Sequence, residues 1–120
     1  MPSCERAFNI PNGKLNVEQA ATNGSSAVIA FNDQMALGVL AGLTRRGIRV
    51  PEEMSIVGCD DVPVAAMVAP PLTTIRMPTD EAGAVAVELL ADSTAKVELF
   101  GSLVVRASTG AVLMRAKPGG

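Results

Sequence analysis

The sequence has no histidine, no tryptophan and no tyrosine, and three phenylalanines are its only aromatic residues. The lack of histidine removes Ser-His-Asp and Cys-His nucleophilic catalysis, histidine metal sites and histidine pH sensing. Scarcity of aromatic rings leaves Ala, Val, Leu, Ile and Met to fill the core. Only two cysteines are present, Cys4 and Cys59, far apart and without a C-x-x-C pair. They read as reduced thiols of a cytosolic protein rather than a disulfide framework. Cationic excess is missing as well: ten Lys and Arg stand against twelve Asp and Glu, a net charge of −2. A self-sufficient nucleic-acid binder carries a basic face, so none is expected here. No basic-then-apolar leader opens the chain, and no apolar run is long enough to span a bilayer, so neither export nor a membrane partner is expected.

What the chain does contain is a hydrophobic fraction of 48% over 120 residues. That is enough for one compact domain. Residues 1–26 are weakly patterned and rich in turn signals (Pro2, Pro11, Asn12, Gly13, and the run 23–26), with one or two helical turns expected at 17–21. From Ala27 the pattern sharpens. Residues 27–31 are a continuous apolar run, as in a strand buried on both faces. Asn32 and Asp33 follow as helix-capping residues. Ala36, Val39, Leu40 and Leu43 then recur at i, i+3, i+4 and i+7, which predicts a helix over 33–46. Arg45 and Arg46 suit its carboxyl end, Gly47 suits the left-handed cap, and Pro51 stops continuation.

The unit repeats. Residues 54–58 form a second buried-type strand ending at Asp60-Asp61, and 62–69 a short helical segment stopped by Pro70-Pro71. Residues 72–76 form a third strand. Pro78 suits a first helical position, and Ala82, Val85, Ala86, Leu89 and Leu90 predict a helix over 79–92. Segments 96–99 and 103–106 read as two further strands. Gly38 and Gly83 lie inside helices, where glycine is unfavourable, so close packing is expected at both. The tail after Thr109 is expected to fray.

Strands alternating with helices imply βαβ units and a mostly parallel α/β sheet, covered on both faces. Such sheets bind ligands beyond the carboxyl ends of their strands. Two polar pairs sit there, Asn32-Asp33 and Asp60-Asp61. Without a nucleophile, metal ligands or histidine beside them, the aspartates do not read as an acid/base pair. No enzyme, metal or cofactor is expected.

Five stretches in register carry a resemblance: residues 27–38 (AVIAFNDQMALG), 47–53 (GIRVPEE), 55–61 (SIVGCDD), 70–76 (PPLTTIR) and 106–109 (RAST). Together they resemble the LacI/GalR family of transcriptional regulators over residues 27–109. The resemblance implies a three-layer, parallel-sheet lobe of the periplasmic-binding-protein-like type, the C-terminal part of an effector-sensing domain. Residues 1–26 would be an irregular or truncated lead-in and 110–120 a flexible tail. It implies a cytoplasmic regulator controlling gene expression in response to a small molecule, most readily a sugar, through a homodimer. Operator DNA would be reached only by a helix-turn-helix head that this chain does not contain. Asn32 would face the effector, with Asp33 capping the helix. Asp60 would accept hydrogen bonds from sugar hydroxyls, with Asp61 structural. Met35 and Leu37, with Met67, Val68 and Pro70, would line the dimer interface. Arg106, Ser108 and Thr109 would tie the last strand to the domain. The sequence departs from the family where Cys59 replaces a common aromatic residue and Met77 a common polar one. Two alternative roles share the fold: the sugar-binding protein of a transporter, and a standalone dimerisation module or remnant.

Overall fold

The computed structural model describes residues 24–112. The expected helical turns at 17–21, Cys4 and Phe8 lie outside them. In chain order the elements are β1 (Ala27–Ile29), α1 (Asp33–Arg45), β2 (Ser55–Val57), a 3-10 turn (Pro63–Ala66), β3 (Thr74–Arg76), α2 (Thr79–Ala91) and β4 (Ser102–Val104).

β1 and β2 pair in parallel, Ala27 with Ser55 and Ile29 with Val57. A parallel bridge from Val57 to Thr73 brings in the chain that becomes β3. β3 itself pairs antiparallel with β4, Arg76 opposite Ser102. The strand therefore leaves the parallel sheet at Thr73 and enters a ribbon with β4. Segment 106–110 then returns to the first sheet, where Ile56 N donates to Ser108 O at 2.8 Å and Ala107 N to Pro71 O at 3.1 Å.

The α1 stripe read from the sequence is the stripe that is buried. Ala36, Val39, Leu40 and Leu43 pack with Ala30, Met35, Met54, Ile56, Ala65 and Leu72 into one core. At its carboxyl end Arg46 N donates to Leu43 O and Gly47 N to Thr44 O, with Gly47 at φ +69°. That positive φ is why glycine ends this helix.

Several expectations need correction. β1 is not buried on both faces: Ala27 is exposed and Ile29 is 79% exposed, because among the described residues α1 covers one face only. The segment over 62–69 narrows to a single 3-10 turn. Residues 96–99 form no strand. Pro78 is the cap before α2 rather than its first residue. Helix α2 exists, yet none of its residues is buried and Leu90 is 87% exposed. Gly83 faces open space, so close packing does not account for it. Met35, expected at a dimer interface, lies in the core beside α1's other buried residues and offers no surface there.

Candidate functional site

The carboxyl ends of the parallel strands make the edge on which the site stands. Ile29, Val57 and Thr73 share one register row across the sheet. Three residues beyond each stand Asn32, Asp60 and Arg76. The ladder carries on toward them: Ala30 N donates to Val57 O, Gly58 N to Thr73 O and Asp60 N to Ile75 O, at 2.8–2.9 Å. Strands in a sheet lie about 4.8 Å apart, so the three positions line an edge about 10 Å wide.

Asn32 has an extended backbone, and its Oδ1 accepts from Met35 N at 2.9 Å. It is therefore Asn32, not Asp33, that caps α1, and the expected division between the two is corrected. Its amide Nδ2 has no partner among the described residues. Asp33 is wholly buried. Its Oδ2 accepts from Val62 N at 2.9 Å and its Oδ1 from the Thr74 hydroxyl at 2.5 Å. It thus ties the start of α1 to the loop after β2 and to β3, and its charge lies in the first helical turn, where the helix dipole favours an anion. Gly58 makes this possible, since a Cβ there would collide with Asp33 Oδ1.

Asp60 and Asp61 both hold positive φ, at 109° and 54°. The second value is left-handed backbone that aspartate tolerates; the first lies outside that well and is strained for any residue with a Cβ. The turn presents the two side chains differently. Asp60 is exposed. Asp61 is held by two guanidiniums: Arg106 Nη2 reaches Oδ1 at 2.7 Å, and Arg76 Nε and Nη2 both reach Oδ2 at 2.7 Å. The hydrogen bond from Arg106, then that from Arg76, holds the Asp61 carboxyl below the usual carboxylate range. Asp61 thus joins the loop after β2 to Arg76 and Arg106, and it does not cap the segment from Val62, whose N bonds to Asp33 instead. Between the strand and the aspartates, Cys59 is half-buried; desolvation first, then the charges of Asp60 and Asp33, push its thiol up.

The tie of the last segment to the sheet is extensive. Ser108 Oγ donates to Ile56 O at 2.6 Å and accepts from Thr73 N at 2.8 Å. The Thr109 and Thr73 hydroxyls are 2.9 Å apart, and Arg106 Nη1 donates to Leu72 O at 2.9 Å. Of the expected interface residues other than Met35, Met67 is 80% exposed, while Leu37, Val68 and Pro70 are half-buried. Phe31 and Phe100 are exposed, and Phe31 directly precedes Asn32. Arg76 is the edge residue that sequence reasoning missed. Its position as the charged last residue of the third strand was the available signal.

Among the described residues no group of His, Cys, Asp or Glu is placed to hold a metal ion, and no helix is long and apolar enough to cross a membrane. The arrangement offers a carboxylate acceptor at Asp60 and an amide donor at Asn32. These are hydrogen-bonding groups, and they do not assemble a nucleophile with a base.

A family model described as a periplasmic binding protein-like domain matches residues 4–109. The PurR transcriptional repressor of Haemophilus influenzae (strain PittEE) is 34% identical over 119 residues, covering 91% of this chain and 34% of the repressor. Among solved structures, the Escherichia coli transcriptional repressor ascG superposes with a TM-score of 0.74 at 29% identity, over 87% of this chain and 41% of that one. A LacI family transcriptional regulator from Lactobacillus casei with bound glucose gives 0.72 at 28% identity, over 86% and 40%. The chain thus spans about a third of the length of the curated repressor.

Proposed function

From a chain that belongs to the periplasmic binding protein-like domain family, and within it resembles LacI/GalR effector-binding domains, we propose the effector-sensing and dimerisation part of a LacI-type transcriptional regulator. The observation that carries this reading is the shared register of Asn32 and Asp60, each three residues past paired positions of β1 and β2. An open parallel sheet binds its ligand at that end. A carboxylate with an amide beside it supplies acceptors and donors that match adjacent hydroxyls, so the effector is a small polyhydroxylated molecule, a sugar. The Lactobacillus casei neighbour with bound glucose supports that class.

The regulator would work in the cytoplasm as a homodimer, pairing through Leu37, Met67, Val68 and Pro70. DNA contact would come from a head outside this sequence. The protein would be a sensor rather than an enzyme. Binding by this chain is expected to be weak, since the site offers one edge of a cleft. Amide chemical shifts of the full chain, followed during titration with D-glucose and D-ribose, test the reading. Saturable shifts centred on Asn32, Cys59 and Asp60 are expected. Shifts absent for both sugars, or spread without focus over the surface, would refute it.

A further inference from the structure

The two aspartates after β2 carry opposite electrostatic duties. Asp61 has a side chain 8% exposed and takes hydrogen bonds from both nearby guanidiniums. Arg106, with a side chain 18% exposed, also has its Nη1 donating to Leu72 O. Arg76 has a side chain 61% exposed, yet its Nε and Nη2 are both turned onto Asp61. Asp60 is exposed and has no cationic partner among the described residues. Two positive charges therefore face inward on one carboxylate, while the carboxylate left facing outward is Asp60. The split falls in a turn where both residues hold positive φ.

We infer that this edge selects an uncharged polyhydroxylated effector and excludes sugar phosphates and sugar acids, and that Asp61 sets the selectivity by engaging Arg76. The inference rests on the effector-sensing reading and adds to it a rule about ligand charge. A neutral sugar donates hydroxyl hydrogens to Asp60. An anionic sugar sets a like charge against the exposed Asp60, and among the described residues the two guanidiniums nearby are turned onto Asp61 instead. Replacing Asp61 releases the Arg76 guanidinium, a planar donor well suited to phosphate.

The test is an amide-shift titration of the full chain with D-ribose and D-glucose, each against its terminal phosphate monoester, repeated at low and high salt. The neutral sugar should bind at least about tenfold more tightly than its phosphate at low salt, with the gap narrowing as salt screens it. In Asp61→Asn the ratio should fall toward one or invert. Arg76→Gln, which keeps Asp61 paired with Arg106, should keep or widen the ratio and guards against a folding defect in the first variant. Phosphates that bind as tightly as the neutral sugars, or a ratio unchanged in Asp61→Asn, would overturn the charge rule alone. Failure of both neutral sugars to bind, or neutral-sugar binding that survives Asp60→Ala, would overturn the effector-sensing reading and the rule with it.

Discussion

Thr74 donates its hydroxyl hydrogen to Oδ1 of Asp33 across 2.5 Å, and both residues are wholly buried. This bond joins the start of α1 to β3, and the same carboxylate accepts from Val62 N. The candidate edge is thus held from behind, by a residue that is wholly buried.

Removing that carboxylate should cost more than removing any exposed charge. Asp33→Ala leaves a buried hydroxyl and a part-buried N–H without their acceptor, at about 1–3 kcal/mol for a buried unsatisfied group and less for a part-buried one. A fall of about 2–4 kcal/mol in unfolding free energy by urea titration is expected. Thr74→Val, which removes that donor and the long 3.3 Å acceptor contact from Asp61 N while keeping the shape, should cost less. Gly58→Ala should behave like Asp33→Ala, because the added methyl occupies the space of Oδ1. Equal, small effects from all three would contradict the arrangement.

At Asp60 stability and binding should move in opposite directions. Its φ of 109° is open to glycine and strained for other residues. Asp60→Gly should raise unfolding free energy by about 1 kcal/mol while abolishing the focused sugar response. Calorimetric melting and amide-shift titration of one sample measure both. A variant that is less stable than the parent would show that the turn is not strained.

Acid should weaken the fold through Asp61. Its folded carboxyl titrates below the ordinary value of about 3.9 because Arg106 and Arg76 donate to it. A depressed carboxylate contributes stability above the unfolded value, and the contribution disappears as pH falls through the folded one. The stability difference between the parent and Asp61→Asn should therefore be constant near neutrality and shrink as pH falls below the ordinary carboxylate value and through the lower folded one. Denaturant midpoints measured across that range check this. A difference that persists undiminished in acid would mean the ion pairs contribute nothing.

Self-association has a sharp probe at Met67, whose side chain is exposed and apolar. Placing a charge there by Met67→Asp should weaken a two-fold interface without disturbing the core. Sedimentation velocity should show a dimer for the parent that shifts to monomer in the variant. A parent that stays monomeric at high concentration would remove dimerisation from the account.

The sequence made the α1 stripe, the Gly47 cap and the ends of the parallel strands legible because each depends on neighbours within a turn or a strand. It did not separate the roles of Asn32 and Asp33. Either residue type can cap a helix, and the partners that claim Asp33 lie 29 and 41 residues away. Arg76 escaped notice for the same reason, since its partner Asp61 is 15 residues distant. The apolar period of helix α2 marks its position and one face but not what covers that face; Val87 and Leu90 remain exposed among the described residues. Segment 96–99 has strand-like composition but finds no pairing partner among the described residues, and strand propensity yields to context.

The most direct test of the central claim is sugar affinity in two variants that leave the fold intact. Asn32→Ser preserves the cap to Met35 N while removing the amide donor. Asp60→Ala removes the open carboxylate. Loss of a hydrogen bond to a charged group is worth about 1.5–3 kcal/mol, tenfold or more in affinity. Titration with D-glucose and D-ribose should therefore show at least about tenfold weaker binding in Asp60→Ala and a smaller loss in Asn32→Ser. Unchanged affinity in both variants would mean that these residues only shape the ends of the strands, and that no effector is sensed at this edge.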